Sequence, residues 1–103
     1  MATFVALYTT PDDVDGFEEH YRATHLPLVQ SWPGVTGVTI TRFAATPRGT
    51  PAAYYLMAQA HWHTDEEMAA ALRSDAGMAA ARDAKAMTEQ YGVTLTMMLG
   101  ADF

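Results

Sequence analysis

Apolar residues recur along the chain with two periods, and the switching between them lays out the elements. TFVALYT, residues 3 to 9, is a run of β-branched, aromatic and aliphatic residues that ends at Thr10-Pro11-Asp12, a strand followed by a helix start. Thr10 or Asp12 is the expected cap. A period near 3.6 then sets in. At about 100° per residue, Val14, Phe17, Tyr21, Thr24 and Leu28 share one face, with His20 and His25 on its shoulders. Glu18 and Arg22 form an i, i+4 pair on the outward face. Pro27 has no N–H for the carbonyl four residues back and biases Leu26 away from helical backbone, which predicts a kink beside His25.

Trp32-Pro33-Gly34 closes this segment, and VTGVTITRF, residues 35 to 43, reads as a strand. The turn cluster TPRGTP, residues 46 to 51, joins it to AAYYLMAQAHWH, residues 52 to 63, as a hairpin. Thr64-x-x-Glu67 is a capping box, and Ser74 caps a further helix whose inward stripe is Ala80, Ala84, Met87 and Tyr91. Gly92 stops that helix, and GVTLTMML, residues 92 to 99, is the last strand. The order β, α, β, β, α, β predicts a single α+β domain over residues 1 to 103, a ferredoxin-like βαββαβ sandwich with its helices on one face of an antiparallel sheet.

Strand parity adds to this. Such a sheet should be polar on the face away from the helices, yet Tyr55 and Met57 oppose Tyr54, Leu56, Ala58 and Trp62, and Met98 opposes Leu95, Met97 and Leu99. An apolar second face predicts a homodimer formed through the sheet.

Half of the 103 residues are hydrophobic and 17% are charged, a generous apolar supply that points the same way. The net charge of −6, with six basic residues scattered singly, argues against nucleic-acid and anionic-membrane surfaces. Without cysteine there is no disulfide, thiolate nucleophile or cysteine metal site. No basic leader or long apolar stretch is evident, so the expected location is cytoplasmic.

The pattern Phe17-x3-Tyr21-x3-His25-x-Pro27-Leu28, then Pro33-Gly34, Ala71-Leu72-x-Ser74-x2-Gly77, Asp83 and Gly92-Val93, resembles the EthD family of the dimeric α+β barrel superfamily over residues 3 to 99. The resemblance implies a ferredoxin-like protomer whose sheet packs against that of a second copy, with a pocket in each subunit between sheet and helices. The superfamily includes cofactor-free polyketide cyclases, dehydratases, lactone isomerases and monooxygenases. Plant-type cyclases carry a catalytic histidine at the turn where this chain reads Ser74-Asp75-Ala76-Gly77, and the histidine, asparagine and tryptophan set of the haem-degrading branch is unmatched here.

Tyr21 and His25, one helical turn apart, are the expected catalytic pair. Imidazole titrates near neutrality and phenol is a neutral donor, so together they can polarise a carbonyl and move a proton. A purely structural role would have His25 bonding carbonyls freed by Pro27. Phe17, His20, Trp62 and Asp83 are the expected substrate-binding residues, with Asp83 also placed to orient a histidine as a base. His61-x-His63 has metal-ligand spacing but no third ligand in sequence, so neither metal nor cofactor is expected. Proton transfer is what these residues offer, and the resemblance implies its setting: a cofactor-independent enzyme of cyclase, dehydratase or isomerase type acting on a small aromatic, polyketide-like or lactone metabolite. The alternatives are a noncatalytic carrier or accessory protein for a hydrophobic metabolite, and a cofactor-free monooxygenase.

Overall fold

Strand β1 (Ala2–Tyr8) buries Ala2, Ala6 and Tyr8 on one parity, which suits a strand in the middle of a sheet. In the computed structural model, which describes residues 1–103, it pairs antiparallel with β3 (Leu56–Trp62) and with β4 (Leu95–Ala101). β2 (Gly37–Arg42) completes the order β2-β3-β1-β4. The helices cover one face: α1 (Val14–His20), a π-helical turn over Tyr21–His25, α2 (Leu26–Gln30), α3 (Asp65–Arg73) and α4 (Asp75–Tyr91). This is the ferredoxin-like α+β sandwich that the order of elements predicts.

Several boundaries move. Asp13, rather than Thr10 or Asp12, caps α1, its carboxylate accepting from the Gly16 N–H at 3.1 Å. The hairpin strands and the last strand start later than their apolar runs suggest. Tyr55 lies outside β3 although its N–H donates to Tyr8 O, and its phenol donates to Glu18 on α1. Thr64 and Ser74 cap α3 and α4 as expected, their hydroxyl oxygens accepting from the Glu67 and Gly77 N–H groups. Gly77 is obligatory where α3 meets α4, since a Cβ there would sit 2.3 Å from Ala71 O and 2.5 Å from Leu72 O. Gly92 ends α4 in the left-handed region at φ 67°.

The largest departure concerns the first helical segment. Pro27 does not end it. The chain stays helical through Gln30 by widening one turn, in which the Leu26 N–H donates to Tyr21 O, five residues back. The wider turn gives the proline ring room at the carbonyl it would otherwise strike. It also inserts one residue into the helical repeat. Thr24, which a uniform projection puts on the inward face, is exposed, while Phe17, Tyr21, His25 and Val29 form the buried stripe.

The register gives the outer face of the sheet three residues from each strand: Thr3, Val5 and Leu7; Gly37, Thr39 and Thr41; Met57, Gln59 and His61; Thr96, Met98 and Gly100. Only Val5, Leu7, Met57 and Met98 are large and apolar, fewer than strand parity suggests, but none of the twelve is an acid, lysine or arginine. On the inner face, helices cover β1 and β3 but not β4, so Met97 and Leu99 are 59% and 61% exposed. Tyr8, Phe17, Tyr21 and Met87 pack at one end of the layer between helices and sheet, and Trp32, Trp62, Met68 and Ala71 at the other.

Candidate functional site

The space between these two clusters is a cavity of about 330 Å³, near the lower end of the roughly 300–1,000 Å³ typical of small-molecule sites. It exists because small residues face each other across the layer. The sheet contributes Ala6, Ala58 and Ala60, and α4 contributes Gly77, Ala80, Ala81 and Ala84. Phe4 and Trp32 close one end, Tyr8, Tyr21 and His25 the other, and Leu95 and Met97 lie along the uncovered β4 side.

His25 is only 5% exposed. Its Nδ1 lies 2.9 Å from Asp83 Oδ2, and His20 Nε2 lies 2.9 Å and 3.1 Å from the two oxygens of the same carboxylate. The π turn makes this possible. Residues five apart on a regular α-helix diverge by about 140°, whereas one residue more per turn brings His20 and His25 round to a single acceptor on α4. An ionised carboxylate only accepts, so both facing ring nitrogens carry hydrogen. His25 is therefore held as the Nδ1–H tautomer with Nε2 bare, and that nitrogen has no hydrogen-bond partner in the chain. Burial lowers the His25 pKa from its ordinary value, and the hydrogen bond and charge of Asp83 offset part of the drop. Imidazole is thus neutral near pH 7 and able to accept a proton.

The Tyr21 ring lies 5.1 Å from that of His25, centroid to centroid. Burial pushes its phenol up to about 12, and burial raises Tyr8 as well, so both are neutral donors. Tyr8 is near enough to influence Tyr21, yet no hydrogen bond of sound geometry joins them, and the Tyr21 hydroxyl is buried without a partner. The Trp32 indole nitrogen shares that condition. Each orphan costs about 1–3 kcal/mol, and both residues stand in the wall of the same cavity.

The residues singled out in the sequence divide into three groups. Tyr21 and His25 line the cavity. His20 and Asp83 stand behind His25, outside the lining, joined to it by hydrogen bonds. Phe17 and Trp62 are fully buried and also outside it; Trp62 stacks on Trp32 at 5.6 Å and donates its indole N–H to Pro33 O at 2.9 Å. His61 faces the opposite side of the sheet, its Nδ1 3.0 Å from Thr3 Oγ1, and nowhere do three histidines, aspartates or glutamates gather as a metal site. Trp32 and Tyr8 were not anticipated. A tryptophan just before Pro-Gly reads as loop punctuation, and only the tertiary packing reveals its unpaired donor.

A second, more open hollow lies on the far side of Tyr21, against Ile40 and Leu56. Its rim holds Glu18, which accepts from Arg22 at 2.8 Å, from Arg42 through two 2.8 Å bonds, and from Tyr55. Glu18 therefore does not simply face outward. It ties α1 to β2 and to the approach to β3, and the Tyr55 hydroxyl, with Arg42 second, holds its carboxyl below the usual range.

The architecture, with an apolar cavity open along β4, defines a small ferredoxin-like α+β protein. No family model matches the chain. It is 34% identical to an ethyl tert-butyl ether D (EthD) family protein from Bacillus halodurans, whose crystal structure superposes with a TM-score of 0.90 over 100% of this chain and 99% of that one. The chain belongs to the EthD family. It is also 37% identical over 87 residues to an uncharacterised 11.0 kDa protein of the thcB-thcC intergenic region of Rhodococcus erythropolis, covering 81% of this chain and 80% of that protein. SnoaB, a cofactor-independent oxygenase from Streptomyces nogalater, shares the fold at a TM-score of 0.69 and 20% identity, over 98% and 91% of the two chains. No helix is long and apolar enough to cross a membrane.

Proposed function

We propose that this protein is a cofactor-independent enzyme that moves a proton on a small aromatic, polyketide-like or lactone metabolite, as a cyclase, dehydratase or isomerase does. The reading rests chiefly on His25: a neutral imidazole oriented by a carboxylate, with its bare Nε2 at the polar end of an apolar cavity. Nε2 takes a proton from a carbon next to a substrate carbonyl. The Tyr21 hydroxyl donates a hydrogen bond to that carbonyl oxygen as it gains enolate charge. The imidazolium, facing Asp83, then returns the proton to a second carbon in isomerisation, or to a departing hydroxyl in dehydration. Atoms and charge balance without an added reagent. The shared fold of SnoaB supports the view that such a scaffold accommodates catalysis without a cofactor.

The test is a panel of phenolic, polyketide-like and lactone compounds scored for product as well as for thermal shift. With a substrate in hand, His25→Ala and Tyr21→Phe are expected to lower turnover by about 10²-fold or more. Binding across the panel with no product from any member indicates a carrier and defeats the enzymatic reading. So does unimpaired turnover by the folded variants.

A homodimer joined through the outer face of the sheet belongs to the same reading. That face is uncharged in a chain of net charge −6 and includes Val5, Leu7, Met57 and Met98.

A further inference from the structure

The carboxylate of Asp83 takes hydrogen bonds from His20 and His25 and from no other group in the chain. Arg82 and Lys85 lie close to it in sequence on α4, yet neither pairs with it. His20 supplies the broader grip. Its Nε2 lies 2.9 Å from Oδ1 and 3.1 Å from Oδ2, spanning both oxygens, whereas His25 Nδ1 meets Oδ2 alone at 2.9 Å. A carboxylate held at one oxygen still turns about its last torsion, which is broad for aspartate. A donor set between both oxygens fixes its plane.

His20 is itself held in place. Its ring lies 6.0 Å from that of Tyr91 at the end of α4, and its backbone ends α1 where the π turn begins. The three side chains become drier toward the cavity, 24% exposed at His20, 14% at Asp83 and 6% at His25, so His20 stands between the carboxylate and solvent. A proton relay from His25 through Asp83 to water would need a bare His20 Nε2 to receive the proton. That nitrogen already carries the hydrogen it gives to Asp83, because an ionised carboxylate only accepts. The order is donor, acceptor, donor, which grips the carboxylate without conducting through it.

Building on the proposed function, we infer that His20 is a positioning residue, a clamp that keeps Asp83 turned toward His25 and so keeps the base in its Nδ1–H form with Nε2 free for substrate. His20 lies outside the cavity wall and acts only through Asp83. Without it the carboxylate exchanges its bond to a neutral imidazole for water. His25 then loses the acceptor that selects its tautomer.

Imidazole ¹⁵N spectra test this without a substrate. In the native protein the His20 Nε2–H and His25 Nδ1–H protons point at one carboxylate and should show a mutual nuclear Overhauser effect. His20→Ala is expected to shift the two His25 ring nitrogens toward each other as the Nε2–H tautomer gains population. His20→Gln, whose amide N–H replaces the donor, is expected to keep them near their native positions. Calorimetric titration with naphthalene reads the cavity and not the clamp, and should give the same affinity for the native protein and both variants. On any panel compound that the native protein converts, His20→Ala should lower kcat severalfold, in step with the lost Nδ1–H population, with KM little changed and activity largely restored in His20→Gln. Unmoved His25 resonances in His20→Ala overturn the clamp and leave the enzymatic reading standing. Equal shifts in both variants overturn it too, as does loss of naphthalene binding in both, which would make His20 a residue of the fold. Should His20→Ala fail to fold, the native spectrum and His20→Gln decide: a missing Overhauser effect, or His25 resonances displaced in His20→Gln, overturns the clamp. Absence of product from the whole panel defeats the enzymatic reading and leaves the tautomer measurements to decide the clamp.

Discussion

At the residue scale, the protonation pattern of one carboxylate and two imidazoles governs the site. If Asp83 accepts from both rings, replacing it with asparagine forces a conflict, because the amide offers an acceptor on one side and a donor on the other. One histidine must then present a bare nitrogen to residue 83. Should that be His25, its cavity-facing Nε2 becomes protonated and can no longer act as a base. Asp83→Asn is therefore expected to cut turnover by about 10²-fold or more while the fold persists. ¹⁵N imidazole shifts of the native protein should report His25 as the Nδ1–H tautomer, and the opposite tautomer would contradict the assignment. The pH dependence has a defined sign. His25 is depressed below its ordinary value by burial, with Asp83 opposing. Between that depressed value and about 6.5, its value in an unfolded chain, the unfolded state binds more protons than the folded one. The His25 contribution to stability is thus full above about pH 6.5 and is lost as pH falls through this window. The base form outlasts that of a free imidazole, so kcat/KM should stay level from neutrality to below pH 6.5 and drop only at lower pH. A pH–rate profile that begins to fall above pH 7 would count against His25 as the base.

At the scale of elements, two features make the cavity: a helix with one widened turn and a helix with a small-residue face. Ala58 sits on the inner face of β3, opposite Ala6, with α4 across the gap. Because the space is already open, Ala58→Leu is expected to fill it with little strain, leaving stability within about 1.5 kcal/mol while abolishing naphthalene binding. Denaturant melts and calorimetry check the two halves, and a loss of several kcal/mol would mean that the space is not free. The sequence carried the element order, the α3 and α4 caps and the α4 stripe, because each is a local pattern. It also carried Tyr21, His25 and Asp83 as residues of interest. It did not carry their geometry. Pro27 announces a disturbance, but periodicity does not say whether the helix breaks, bends or takes in a residue, and only the last choice exchanges Thr24 for His25 on the buried face. Nor do Ala6, Ala58, Ala60, Ala80 and Ala84 read as a void until strand register and helix docking set them opposite one another. The orphan donor of Trp32 belongs to the same class of long-range fact.

At the scale of the whole molecule, charge is distributed unevenly. Twelve acidic and six basic residues are spread over 103 positions, yet none occupies the twelve outward positions of the four strands. A sheet face kept in water has no reason to exclude charge, since charged side chains there aid solubility and blunt unwanted pairing. Excluding it leaves Val5 at the centre of the grid, flanked by Gln59 and Met98, with Leu7 and Met57 paired beside it. Threonines surround these residues and tolerate burial if their hydroxyls find partners. A second copy applied to this face would bury that apolar centre without burying an ion, and the net charge of −6 on each chain would oppose the association only at long range. The protein is accordingly expected to elute, in light scattering coupled to gel filtration at micromolar concentration, with twice the mass of one chain, and added salt should leave the dimer intact or tighten it. Val5→Asp places a carboxylate at the middle of the proposed contact and opposite its own image, so it should give single chains whose far-ultraviolet dichroism matches the native protein. A native protein of single-chain mass under these conditions would refute the interface, as would a Val5→Asp variant that remains a dimer.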